Sequence, residues 1–224
     1  MRRRWGVLGA ALAAGLLWWG APALARRMDF FRVRRVEFVG MRYLAPETAL
    51  EALRLPNRLN IFEELDSVAV RARGIPGVAR AEVSRRMPGT LVVELDEMPP
   101  VALIHRRGRL VLMDSAGRVL PYDPRRTAAD LPLAAGPDEA VARLLRRIQV
   151  LDADLFRQVD GAARQGRDVV LLMGDRRVVF RPDASFEEMR AVKAAAEDLA
   201  RKGVGYEELD GRFRGYVVVR GRGA

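Results

Sequence analysis

Two consecutive prolines, Pro99 and Pro100, place the strongest constraint on how this chain can fold. They follow "TLVVELDE", residues 90–97, in which apolar and polar side chains alternate as they do in a half-buried strand. Proline has no backbone N–H and cannot continue a hydrogen-bonded ladder. The sequence therefore predicts that one sheet ends here and that a second structural unit begins at residue 99.

The composition permits two units and argues against a nucleic-acid partner. With 224 residues, of which 50% are hydrophobic, the chain is long enough for one or two globular domains. The net charge is +10, but Lys193 and Lys202 are the only lysines among 39 basic residues, an arginine bias typical of genome-wide codon usage. The arginines mostly alternate with Asp and Glu, whereas nucleic-acid binders cluster positive charge and interleave aromatic side chains. The absence of cysteine excludes disulfides and thiol chemistry.

An uncharged run from Trp5 to Ala25 follows three arginines near the N-terminus. About 20 apolar residues suffice to cross a bilayer as a helix, and tryptophan favours its interfaces. The sequence therefore predicts a cytoplasmic tail over residues 1–5, a transmembrane signal anchor over 6–25 and a linker over 26–32. The membrane-spanning side chains of this prediction are Val7, Leu8, Leu12, Leu16, Leu17, Trp18 and Trp19.

A cleaved signal peptide is the alternative, because Ala23 and Ala25 have the spacing of a signal-peptidase site. The apolar run is longer than the roughly 7 to 15 residues usual in a cleavable signal, which favours an uncleaved anchor. Arg26 and Arg27 oppose the orientation that the N-terminal arginines favour. The short tail is nevertheless easily left inside, so we expect the chain beyond Arg26 to lie outside the cytoplasm.

Residues 33–98 have the pattern of a β-α-α-β-β module. "VRRVEFVGMRYL" predicts a strand ended by Gly40, and Pro46 suits the first turn of a helix whose apolar stripe includes Leu50. Asp66 is positioned to cap a second helix, which Gly74 ends. The next segment, "VARAEVSRR", predicts a strand with one face formed by Ala79, Ala81 and Val83.

This order, with "VRRVEFVGMRYL" at its start and "VARAEVSRRMPGTLVVELDEMPPVA" at its end, resembles a POTRA domain, and more narrowly that of the FtsQ/DivIB family of bacterial cell-division proteins. The similarity continues through "LVLMDSAGRVL", residues 110–120, and "YEELDGRFRGYVVVR", residues 206–220. It implies an α+β fold class: an N-terminal transmembrane helix, a POTRA domain over 33–98, and a mixed β domain with two helices over 99–224.

The pattern after residue 99 is consistent with such a β domain. "VALIH" and "RLVLMD" flank "RRG" as a hairpin, and "DVVLLM" and "RVVFR" flank "GDR" as another. Residues 123–137 are loop-like. Asp138 is positioned to cap one helix, and Ser185 with Glu188 forms a capping-box pattern at the start of another. "YEELD" and "GYVVVR" are expected to close the chain as strands.

No group of residues in the sequence points to catalysis. His105 is the only histidine, and without a nearby carboxylate cluster it is a poor metal ligand or triad member, which favours a structural or solvent-facing role. Asp96 and Glu97 are adjacent on a strand and therefore point to opposite faces, which does not suit a carboxylate pair. No G-x-S-x-G motif or phosphate-binding glycine loop occurs. We predict a non-enzyme with no cofactor, metal or small-molecule substrate.

The C-terminal segment "RGYVVVRGRGA" predicts a sheet edge that binds a partner. An exposed edge strand offers free N–H and C=O groups to a partner strand. Tyr216 and Val218 would face one side, and Val217 and Val219 the other. The alternative is that the valines belong to the core and that the arginine-rich tail protects the edge from aggregation.

In the family that the chain resembles, this edge receives a segment of FtsB, which itself pairs with FtsL in a coiled coil. The resemblance implies that Asp210, Arg212 and Phe213 form the family's Asp-x-Arg-aromatic pattern, with Gly211 where an apolar residue is common. Arg181, at the end of the preceding strand, is positioned to bind a partner carboxylate. The implied partner-binding residues are Arg181, Asp210, Arg212, Phe213, Tyr216, Val217, Val218, Val219 and Arg220.

The resemblance implies a non-enzymatic, single-pass scaffold of the inner membrane at the division septum, with a short cytoplasmic N-terminus and a periplasmic C-terminal domain. It would link early septal proteins to the FtsB–FtsL pair and, through that pair, to the septal peptidoglycan synthases. The alternative is a POTRA-bearing chaperone or secretion component that binds exported or outer-membrane chains, although no barrel pattern follows the single POTRA-like unit. A periplasmic cell-wall enzyme is a third and less favoured hypothesis.

Overall fold

The computed structural model describes residues 29–63, 65–127 and 130–221. The described residues divide into two compact units, one ending at Glu97 and the other beginning at Met98. Within the described ranges, no helix is long and apolar enough to cross a membrane. The predicted anchor over residues 6–25 lies outside the described residues.

The first unit is a three-stranded sheet with two helices. β3 is the central strand, parallel to β1 and antiparallel to β2. The predicted β-α-α-β-β order is therefore confirmed. Its elements are a 3-10 turn at Asp29–Phe31, β1 Arg35–Val39, α1 Pro46–Leu53, α2 Asp66–Arg73, β2 Val78–Arg86 and β3 Thr90–Glu97.

Alternation along β3 builds the core of this unit, because Leu91, Val93 and Leu95 are all buried between the sheet and the helices. Two local predictions, one for β2 and one for α2, were wrong, and Leu50 of the predicted apolar stripe on α1 is 46% exposed. Ala79 is exposed, since the pairing of β2 with β3 shifts by one residue between Val78 and Arg80.

The second wrong prediction concerns the start of α2, where Asp66 was expected to be the cap. The residue at the N-cap is Leu65, which makes no side-chain capping bond, and Asp66 lies in the first turn of the helix. A carboxylate there still interacts favourably with the positive end of the helix dipole. The acidic residue therefore identified the start of this helix, but the predicted N-cap was one residue too late.

Glu97, the last residue of β3, fixes the chain that leaves β1. Its carboxylate accepts hydrogen bonds from the backbone N–H groups of Arg42 and Tyr43, both at 2.7 Å, and of Leu44 at 2.8 Å. The side chain is buried, whereas neighbouring Asp96 is exposed on the opposite face. Glu97 thus has a structural partner for each oxygen.

The second unit contains a nine-stranded sheet in the order β12-β11-β10-β9-β8-β7-β4-β5-β6. Its two-residue strand β7 runs parallel to both β4 and β8, and so joins two antiparallel segments. β10 and β11 are also parallel. The strands are β4 Ala102–Arg106, β5 Arg109–Met113, β6 Val119–Leu120, β7 Leu133–Ala134, β8 Gly161–Gln165, β9 Asp168–Met173, β10 Arg176–Phe180, β11 Glu208–Asp210 and β12 Val218–Arg220.

One face of this sheet packs against the two long helices. The helices of the second unit are α3 Pro124–Thr127, α4 Glu139–Leu151, α5 Ala153–Arg157 and α6 Phe186–Arg201. The core on this face includes one residue from each of six neighbouring strands, paired in register: Ile104, Ala134, Ala162, Leu171, Val178 and Leu209.

The predicted caps of the two long helices are confirmed. Asp138 accepts hydrogen bonds from the N–H groups of Ala140 and Val141, and Ser185 and Glu188 form the complete capping box. The expectation that residues 123–137 form a loop was wrong, because this segment contains α3 and β7. A strand of two residues is too short to show a periodic pattern.

Replacing Glu97 with Ala should lower the free energy of unfolding of the first unit by about 2 to 4 kcal/mol, because three backbone donors lose a charged acceptor. Native-state amide exchange of β1 to β3 in urea measures this unit separately. Asp96→Ala is the matched control and should change the value by no more than about 0.5 kcal/mol. Equal effects of the two substitutions would contradict the capping role of Glu97.

Candidate partner-binding edge

β12 is the outermost strand on one side of the nine-stranded sheet. It pairs with β11 through three residue pairs, Glu208 with Arg220, Leu209 with Val219 and Asp210 with Val218. Among the described residues, no strand pairs with its other side. Its outer N–H and C=O groups are therefore open to a partner strand.

The side chains of this edge are divided between the two faces of the sheet. Val219 continues the buried row that contains Leu209 and remains 41% exposed at the end of that row. Val217 precedes the strand and packs, partly buried, against the same core. Val218 pairs with Asp210 and so belongs to the opposite face.

A groove of about 670 Å³ lies beside the edge, between the start of α6 and residues 211–217. The rings of Phe213 and Tyr216 stack in parallel with their centroids 5.2 Å apart, and both remain exposed. Arg181 also lines the groove. The structure thus brings together four of the residues predicted to bind a partner, namely Arg181, Phe213, Tyr216 and Val217.

Arg181 is held in place by acidic side chains at the start of α6. Its Nη2 donates to Oε1 of buried Glu188 at 2.8 Å, and its Nε lies 3.6 Å from Oδ1 of Asp183. The same Nε is buried and makes no hydrogen bond among the described residues. The side chain as a whole is 34% exposed, so the accessible part of the guanidinium can meet a further acceptor in the groove.

Asp210 and Arg212 do not face this groove. The side chain of Asp210 is fully buried and accepts from Arg212 Nε at 2.8 Å and from Arg212 Nη2 at 2.6 Å. Arg212 Nη1 donates to Asp168 Oδ2 at 2.8 Å. No sequence pattern indicated Asp168, because it lies 44 residues from Arg212 and only the sheet brings the two together.

The ion pair perturbs both of its members. The hydrogen bond from Arg212 lowers the pKa of Asp210 below its ordinary value of 3.8, although burial acts in the opposite direction. The hydrogen bonds to Asp210 and Asp168 raise the pKa of Arg212. Both groups are therefore charged at neutral pH and strengthen each other's hydrogen bonds.

Gly211, between Asp210 and Arg212, has no room for a larger side chain. A Cβ atom there would lie 2.6 Å from Cγ2 of Val192 and 2.9 Å from a ring carbon of Phe180. Both neighbours are buried core residues. α6 and β10 thus pack directly against the backbone of residue 211.

His105, the only histidine of the chain, is an exposed residue of β4. Within the part of the chain that the structure describes, no group of three or more His, Asp or Glu side chains is arranged to hold a metal ion.

Gly211→Ala should destabilise the second unit by about 1 to 3 kcal/mol, because the added methyl group overlaps packed side chains. Gly205→Ala is the matched control, since a Cβ atom at that glycine meets no atom within 4 Å. Urea unfolding followed by exchange of core amides in β9 and β10 measures both variants. Similar stabilities for the two would contradict close packing at Gly211.

Lowering the pH should destabilise the pairing of β11 with β12, because protonation of Asp210 weakens its ion pair with Arg212. The pKa of Asp210 is lower in the folded protein than its ordinary value of 3.8. The charged carboxylate therefore contributes its full stabilisation above pH 3.8, and this stabilisation is lost as the pH falls through the lowered pKa of the folded state. Amide protection of β11 and β12, corrected for intrinsic exchange rates, should therefore be constant near neutral pH and fall below pH 3.8. Asp210→Asn should abolish this acid step, and an unchanged step would assign it to another group.

Comparison with known proteins identifies related sequences over both units. The family model "POTRA domain, FtsQ-type" matches residues 31–98, and the model "Cell division protein FtsQ/DivIB, C-terminal" matches residues 102–212. The cell division protein FtsQ of Dinoroseobacter shibae is 32% identical over 142 residues, which are 60% of this chain and 48% of that protein. FtsQ of Cereibacter sphaeroides is 36% identical over 179 residues, 75% of this chain and 56% of that protein.

The chain spans about half the length of these two curated relatives. FtsQ of Myxococcus fulvus, 28% identical over 202 residues, matches 87% of this chain and 64% of its own length. The two family matches leave only residues 99–101 between them, where the sequence predicted a break at the prolines. On these matches, the chain belongs to the FtsQ/DivIB family of bacterial cell-division proteins.

Proposed function

We propose that this protein is a non-enzymatic, bitopic inner-membrane scaffold of the division machinery, which links early septal proteins to the FtsB–FtsL pair and to septal peptidoglycan synthesis. The observation that carries the proposal is the unpaired outer side of β12 next to a groove with exposed aromatic rings. Membership of a cell-division family supports the septal setting.

Strand addition to β12 explains how such an edge would recognise FtsB. A partner strand would satisfy the outer backbone groups of residues 218–220, and its alternate side chains would determine specificity. Phe213 and Tyr216 supply large exposed rings, and aromatic side chains are enriched in the cores of protein interfaces. Val219 adds an exposed apolar side chain on the helix side of the sheet.

Arg181 would add a charged contact at the far side of the groove. A carboxylate of the partner could accept from the accessible part of the guanidinium, since the Arg181 side chain is 34% exposed. Glu188 holds the guanidinium in position, so little side-chain entropy remains to be lost on binding. This geometry favours a partner segment that combines apolar side chains with an acidic residue.

The membrane anchor and the POTRA domain would strengthen the edge contact through effective concentration. In this proposal the anchor confines the protein to the membrane plane, and the POTRA domain docks early septal proteins. Contacts that are individually modest reinforce one another when they are linked in one chain. The competing proposal, a chaperone for exported or outer-membrane chains, uses the same type of strand addition but predicts other partners.

The test is a pull-down from detergent-solubilised membranes with the full chain carrying Val219→Asp. A carboxylate at the edge would be desolvated by a partner strand, so we expect recovery of FtsB and FtsL, identified by mass spectrometry, to fall about tenfold. Val150→Asp, at a 62% exposed valine of α4, is the matched control and should leave recovery unchanged. A chain ending after Gly215, which removes β12 but retains buried Leu209, should lose both partners.

Full recovery with Val219→Asp would rule out partner binding through β12. Recovery of outer-membrane assembly factors or unfolded exported chains, in place of FtsB and FtsL, would favour the chaperone proposal. Loss of FtsB and FtsL with both aspartate variants would indicate general destabilisation rather than an edge contact.

A further inference from the structure

Seven polar residues are arranged in a ring on the face of the second sheet opposite the helices. We call it the charge ring. It contains three arginines, three carboxylates and one amide, so its formal charge is zero. Its members are Gln165, Asp168, Arg177, Glu208, Asp210, Arg212 and Arg220.

Consecutive contacts connect the ring from the β8–β9 hairpin to β12. In addition to the three side-chain hydrogen bonds of Arg212 described above, Arg220 lies 3.7 Å from Asp210 Oδ2 and 3.4 Å from Glu208 Oε1. Arg177 Nε lies 3.9 Å from Glu208 Oε2, and its Nη2 donates to Gln165 Oε1 at 3.0 Å. Gln165 and Asp168 then close the ring, because they are paired in register across the hairpin turn.

The ring surrounds two buried valines and a shallow hollow. Val170 is 6% exposed and Val179 is 7% exposed, although both lie on the face that the helices do not cover. The hollow above them has a volume of about 370 Å³ and is lined by the ring arginines Arg177, Arg212 and Arg220. The apolar stems of these arginines therefore contribute to shielding this part of the sheet from water.

The ring matters because β12 is a short strand at the edge of the sheet. The strand pairs with β11 through three residues, and the segment before it presents exposed rings to the groove. Of those three residue pairs, two contain ring members, the pairs of Glu208 and Asp210. Buried Asp210 needs Arg212, since an unpaired charge in this position would be strongly destabilising.

We propose that Asp168 is a positioning residue for partner binding: acting through Arg212 and Asp210, it holds residues 211–220 in the conformation that receives the partner strand. This inference rests on the proposed function of the β12 edge. Asp168 lies on β9, three strands away from β12, and its hydrogen bond to Arg212 connects it to the segment before the edge strand. If only a fraction of the molecules adopts the binding-competent conformation, the apparent affinity equals the intrinsic affinity multiplied by that fraction.

The experiment compares Asp168→Asn with Asp198→Asn in the detergent-solubilised full chain. Asp198 also contacts two cations, Arg201 at 3.2 Å and Lys202 at 2.6 Å, but it lies on α6 outside the ring and is the matched control. In the free protein, amide exchange of residues 211–220 should accelerate about fivefold in Asp168→Asn, with core amides of β9 and β10 unchanged. Affinity for purified FtsB–FtsL from the same organism should fall about fivefold in that variant, and Asp198→Asn should behave as the wild type.

Two further sets of variants test whether Asp168 acts through its charge and through Arg212. Asp168→Glu keeps the charge and should recover at least half of the affinity lost in Asp168→Asn. In the Asp168→Asn background, the further substitution Arg212→Gln should weaken binding less than it does in the wild type, because the two residues act through one network.

The outcomes separate this inference from the proposed function. Unchanged exchange of residues 211–220 in Asp168→Asn would overturn the positioning role even if FtsB–FtsL binds the wild type. Faster exchange with unchanged affinity, or faster exchange throughout the second unit, would overturn it as well. If wild-type protein with a well-protected edge does not bind FtsB–FtsL, the proposed function fails, and the positioning role in partner binding fails with it.

Discussion

The parallel pairing of β7 with both of its neighbours is the contact on which the second unit depends. Leu133 and Ala134 pair with Leu103 and Ile104 on one side and with Gly161 and Ala162 on the other. Without this strand, the antiparallel segment β4 to β6 and the segment from β8 onward would form two small sheets with two additional edges. With β7 in place, the row of core residues under the helices is continuous across the sheet. Gly161 leaves space for the side chain of Leu172, which would lie 3.3 Å from a Cβ atom added at residue 161.

Chain order then determines which strand forms the edge near the groove. The chain leaves β10, passes through α6 and returns as β11 parallel to β10, the connection that a helix allows between neighbouring parallel strands. β11 is followed by a short turn, so β12 can only pair antiparallel on its outer side. The same crossover places the start of α6 beside residues 211–217 and creates the groove. Fold topology alone therefore brings Arg181 and Phe213 together across 32 residues of sequence, since both line that groove.

Local patterns predicted the elements that carry a complete signal within one stretch of sequence. The β-α-α-β-β order, the capping box of Ser185 and Glu188, and both predicted hairpins of the second unit were recoverable because alternation, capping residues and turns act over a few neighbouring residues. β7 was not recoverable, because a two-residue strand is defined only by its partners. The contact between Asp168 and Arg212 was missed for the same reason, and the register shift at Ala79 depends on backbone pairing rather than on side-chain type.

Residues 210–213 show how one short segment can have an ion-pair network on one face and an exposed aromatic side chain on the other. The charged groups of Asp210 and Arg212 lie on the face with the charge ring, where each of the three ring carboxylates has a cationic neighbour. Gly211 lets α6 and β10 pack against the backbone between them, and Phe213 emerges on the groove side with its ring exposed. Binding energy at such an edge depends on how little order must be gained when the partner arrives. An ion-pair network on the far face supplies that order without occupying any group that a partner strand would need on the outer side of β12.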